Sequence, residues 1–117
     1  MSYPTLAELK ANSDKLLWIT QEQYENAVKE RINAQSALGD AKAIYIDKFR
    51  ESMAKTRKNG IAVTAVRDIA KSECGEWEKA EILAESEYHK ARMKCDYLHE
   101  RIQTIKKIMS ENEGRFN

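Results

Sequence analysis

Between residues 74 and 109 apolar side chains return every seven residues, and this repeat limits the fold more than any other feature of the chain. Trp77, Ala84, Ala91, Leu98 and Ile105 form one series. Cys74, Glu81, Tyr88, Cys95, Ile102 and Met109 form a second, three positions earlier. Only Glu81 among them is charged, while the intervening positions are rich in Glu, Lys, Arg and His. Two such series lay one narrow apolar stripe along a helix, which is the geometry for packing lengthwise on another helix.

A second stripe lies in the first half of the chain. Leu17, Tyr24, Leu38 and Tyr45 stand at multiples of seven, Ala27, Ala34 and Ala41 follow that register by three, and Arg31 interrupts it. Alanines at this spacing let two helix axes approach near the lower end of the usual range, about 8 to 10 Å. The expected fold is therefore all-α: an antiparallel hairpin of long, coiled-coil-like helices with a short third helix in the connection, forming one helical domain over 1–117.

Local signals set the boundaries. Thr5 and Glu8, after Pro4, make a capping box that opens a helix over about 5–58, with candidate breaks near 12–14 (Asn-Ser-Asp) and 39–40 (Gly-Asp). Asn59-Gly60 ends it, Gly60 being free to take the left-handed conformation. Thr64 is expected to open a short helix over about 64–71, with Ile61, Val63, Val66 and Ile69 as its apolar positions. A last helix over about 76–110 precedes a tail at 111–117. At about 1.5 Å per residue the first helix reaches roughly 80 Å and the last about 52 Å, so the first overhangs. The surplus apolar residues, Leu6, Leu9, Leu16, Leu17 and Trp18 at one end and Ile44, Ile46, Phe49 and Met53 toward the other, exceed what a two-helix hairpin can cover. The short helix covers part, and the rest predicts a second copy or another protein.

The charge balance narrows the partners. Twenty basic and nineteen acidic residues nearly cancel, so no global field draws the chain to nucleic acid or membrane. No apolar run approaches the roughly 18 residues of a membrane span, and no secretory leader opens the sequence, so the expected location is the cytoplasm with Cys74 and Cys95 reduced. Association is expected through Leu16, Leu17, Trp18, Phe49 and Met53. The second reading is a nucleic-acid module whose local basic patch, Lys55, Arg57, Lys58, Arg67 and Lys71, contacts phosphates. Cations at a helix C-terminus also simply complement its dipole.

Catalytic and metal chemistry find little support. Cys95 and His99 are spaced to share a zinc ion on a helix, but a structural zinc takes four ligands, and Cys74 and His89 are far along the same helix. Glu81, Tyr88 and His89 offer no nucleophile with a base, and the four glycines stand alone, without a phosphate-binding loop. A non-enzyme without cofactor, metal or small-molecule substrate is expected. The stretch VRDIAKSECG is one residue too long before its glycine for a helix-turn-helix, and the acidic EWEKAEILAESEY that follows does not suit a recognition helix.

The run EYHKARMKCDYLHERIQTIKKIM, Glu87 to Met109, resembles the C-terminal helix of small uncharacterised proteins of bacteriophages of Gram-positive bacteria, encoded among early recombination and replication genes. The resemblance spans about the last third of the chain and brings no site residues. It implies an accessory protein in the host cytoplasm that acts through another protein of DNA metabolism.

Overall fold

A computed structural model describes residues 5–114, and all its regular structure is helical: α1 (Leu6–Lys58), α2 (Val63–Glu73) and α3 (Gly75–Gly114). The architecture is an all-α antiparallel hairpin with α2 in the connection, as the paired stripes require. The side chains of Leu6 and Leu9, Pro4 and residues 115–117 lie outside the described residues.

α1 opens on the reciprocal capping box: the Thr5 N–H donates to Glu8 Oε2 and the Glu8 N–H to Thr5 Oγ1, both at 3.2 Å. The helix then runs unbroken, so neither candidate break exists. Asn12, Ser13 and Asp14 continue it, with Ser13 half-buried seven residues before Thr20 in the stripe. Gly39 costs only about 1 kcal/mol of helix propensity, too little to stop a helix with good formers on both sides. At the far end Gly60 adopts φ 74°, and its N–H donates to the Arg57 carbonyl at 3.1 Å. No neighbouring atom lies within 4 Å of where a Gly60 Cβ would stand. Gly60→Ala is therefore expected to cost backbone strain alone, about 1 kcal/mol in chemical denaturation.

Three boundaries depart from expectation. α2 begins at Val63 rather than Thr64; its N-cap is Ala62, whose carbonyl accepts the Ala65 and Val66 N–H groups without any side-chain cap. Only Cys74 separates α2 from α3, because the Cys74 N–H still donates to Ala70 while its own carbonyl already accepts Glu78 N–H. α3 starts at Gly75 and extends to Gly114, so residues 111–114 are helix and not tail.

The chain divides into two compact units, Met1–Arg31 with Ala91–Asn117, and Ile32–Lys90. In the first, Tyr24 lies 5.9 Å from the His99 ring, and Lys94 Nζ meets Glu30 Oε2 at 3.2 Å, so α1 and α3 run antiparallel there. Its core is a cluster of Ala27, Cys95 and Leu98, with Tyr24 and Val28 packed against it. Ile102, Ile105 and Thr20 are buried too. In the second unit the buried residues are Val66 and Ala70 of α2, Cys74, and Ser52 and Thr56 of α1. Ser52 Oγ donates to Glu73 Oε2 at 2.6 Å and fastens α1 to the last residue of α2. The buried Thr20 and Thr56 hydroxyls donate to the carbonyls of Leu16 and Ser52 four residues back, each at 2.7 Å. Stripe positions can thus carry small polar groups without an orphaned donor.

Candidate interaction surface

A helical residue turns about 100° from its predecessor, so the residue after each member of the Leu17 series points away from the seam. Those positions include Trp18, Ile32 and Ile46, and all three are exposed, at 66%, 55% and 47%. In the second unit this makes a line along α1, Ile32, Gly39, Ile46 and Met53, one residue every seven. Met53 is half-buried, as is Phe49, whose ring lies 5.9 Å from Tyr45. Ile44 of α1 and Ile82 and Leu83 of α3 are further exposed residues of this unit. In the first unit Leu16 and Ile19 join Trp18 on α1, and Met93, Tyr97 and Ile108 are exposed on α3.

The five residues expected to mediate association therefore separate. Leu16 and Trp18 are open to solvent, Leu17 lies half-buried in the seam, and Phe49 and Met53 are half-covered. Trp77, the first member of its seven-residue series, is 39% exposed. It sits on the seam register but near the junction with α2, where its ring takes the Lys48 ammonium 5.5 Å from its centroid. Val66 of α2 is buried and Ile69 half-buried, whereas Ile61 and Val63 are exposed.

Lys55, Arg57, Lys58, Arg67 and Lys71 all lie exposed in the second unit, on either side of the Gly60 turn. Among the described residues none of the five pairs with a carboxylate within 4 Å. Acidic groups are interleaved with them. Glu51 meets Lys48 Nζ at 3.6 Å, and Glu73 accepts the Ser52 hydroxyl.

The titratable residues of α3 do not converge. Cys95 is buried in the first unit's cluster, while His99 stands exposed at its edge. No group of three metal-ligating side chains forms among the described residues. His89 lies 3.7 Å from Glu85, one turn away on its own helix. Tyr45 has its phenol pKa raised above the ordinary value, chiefly by burial and then by negative charge at Glu78, Cys74 and Glu81. It stays a neutral seam residue well into alkaline solution. No described helix is long and apolar enough to cross a membrane.

Comparison with known protein families, with curated proteins and with solved structures found no match. The functional reading rests on the surface itself. Sequence reasoning named Ile46 as surplus and Gly39 as a candidate kink but missed Ile32. The signal was present in the seven-residue spacing of all three, one position beyond the seam series.

Proposed function

We propose that this chain is a non-enzymatic helical association module, an adaptor that offers apolar helix surface to another chain. One observation carries the reading. Where α1 and α3 run together in the second unit, over 32–51 and 75–90, no residue is fully buried, while Ile32, Ile44, Ile46, Ile82 and Leu83 are exposed. Full burial of each such side chain is worth about 1.5 to 3 kcal/mol, and helices in proteins draw most of their stability from packing of this kind. A unit that leaves so much of it unused is completed by a partner. The resemblance of Glu87–Met109 to phage early proteins points to a protein of DNA metabolism as one such partner. Sedimentation of the purified chain from low to high micromolar concentration tests the reading. A particle that stays monomeric throughout and binds no other protein refutes it.

A second reading, nucleic-acid binding, is favoured by the five exposed cations, none of which meets a carboxylate among the described residues. It expects retention of DNA with a log–log salt slope no steeper than about −4.5, since each neutralised phosphate contributes about −0.9. Replacing Lys55, Arg57, Lys58, Arg67 and Lys71 by alanine should abolish that retention. Binding that survives the replacement excludes this patch.

A further inference from the structure

We infer that the line Ile32, Gly39, Ile46 on α1 docks a second copy of this chain, the two α1 helices packing antiparallel about a two-fold axis beside Gly39. The inference rests on the association reading and names its partner. Three observations within the second unit carry it. Ile32 and Ile46 are each about half exposed and stand seven residues to either side of Gly39, so the surface reads the same in both directions. A two-fold interface requires that self-complementarity, because each patch meets its own copy. Under the two-fold, Ile32 faces Ile46 of the second copy and Gly39 faces Gly39.

Gly39 is the second observation. A mid-helix glycine weakens a helix, and apart from its own turn of helix backbone no atom of the described residues lies within 4 Å of where its Cβ would stand. No other described element uses the bare backbone. Another helix would, since removing the side chain at a crossing point lets the axes approach closely. Ser36 and Ala43, also exposed, keep the neighbouring positions small.

Charge sets the direction. In a parallel pair the exposed Lys42 would face its own copy. In the antiparallel pair it lies opposite Ser36, three residues beyond Gly39 on the other chain, and the helix dipoles also oppose. Between Ile32 and Ile46 α1 runs about 22 Å, and half the wall of a helix about 10 Å across offers on the order of 350 Å² there. Two copies would bury about 700 Å² in total, the scale of a weak, reversible contact that fills only at high protein concentration.

Sedimentation equilibrium on the full chain tests the proposal, with circular dichroism to confirm that helicity is retained. Both isoleucines are exposed, so charging one leaves the monomer folded. Ile46→Lys and Gly39→Leu are each expected to raise the dimer dissociation constant at least tenfold, whereas Val63→Lys, at an exposed residue away from this line, leaves it unchanged. The double variant Ile32→Lys with Ile46→Glu is expected to recover dimerisation relative to Ile32→Lys alone, because in the antiparallel pair each lysine then faces a glutamate. Dimerisation indifferent to Ile46→Lys and Gly39→Leu would overturn the assignment, as would a double variant weaker than the single one. A chain that is monomeric yet binds another protein would refute the second copy while leaving the association reading intact.

Discussion

Leu98→Ala is expected to lower unfolding free energy by about 2 to 3 kcal/mol, read as a fall in denaturation midpoint at fixed protein concentration. Leu98 is one of three buried members of the cluster that also holds Ala27 and Cys95, and the other two are small. It therefore supplies most of that cluster's apolar volume. Truncation removes one methine and two methyl carbons from contact and leaves a void beside Ala27, which is too short to fill it. Tyr24 and Val28 are only partly buried and can lean inward, which keeps the cost at the lower end of the range for buried leucines. For a domain of this size the melting temperature should fall by about 10 °C. Leu98→Met conserves volume and should cost less than about 1.5 kcal/mol. If alanine proves as mild as methionine, the seam of the first unit is not the packed interface described above.

That seam is legible in the sequence because its signal is redundant. Cys95, Leu98, Ile102 and Ile105 recur at steps of three and four, and a stripe repeated over several turns tolerates an error at one position. The Thr5 and Glu8 box and the left-handed Gly60 were legible for another reason: each rests on chemistry few other residues can supply. The start of α2 was not legible, since a cap made by the backbone of Ala62 leaves no mark in the sequence. Nor was the exposure of Trp77 on one side and the burial of Ser52 and Thr56 on the other. Periodicity says which residues share a side of a helix. How deeply each is covered depends on where a neighbour such as α2 settles, and hydroxyls that bond their own helix can occupy a seam position as alanine does. The interaction surface suffers the same limit in stronger form. Ile32 and Ile46 are visible as apolar residues in any reading, but only the placement of α3 establishes that this chain leaves them uncovered.

Val66→Asp should have the largest effect of any single change, more than about 3 kcal/mol. Val66 is fully buried on the inner face of α2, one turn before Ala70. A carboxylate there would find neither buried hydroxyl of this unit free to donate, because Thr56 Oγ1 already donates to the Ser52 carbonyl and Ser52 Oγ to Glu73. Glu73 adds a second negative charge nearby along the same helix. The eleven residues of α2 are too few to stay helical without tertiary contacts, so loss of docking becomes loss of the helix. Amides over 63–73 are expected to exchange with solvent at nearly unprotected rates in the variant. Burial disfavours the ionised form, so the new carboxyl should titrate above the usual range, and the deficit should shrink as pH falls and the group becomes neutral. Val66→Asn, similar in shape but uncharged, should show a smaller loss that does not vary with acid pH. Val66→Ala should cost only about 2 kcal/mol, the price of a cavity without a charge. Equal losses for aspartate and alanine at neutral pH would mean that this side of α2 opens to water, and the hydroxyl-lined contact between α2 and the last turns of α1 would have to be abandoned.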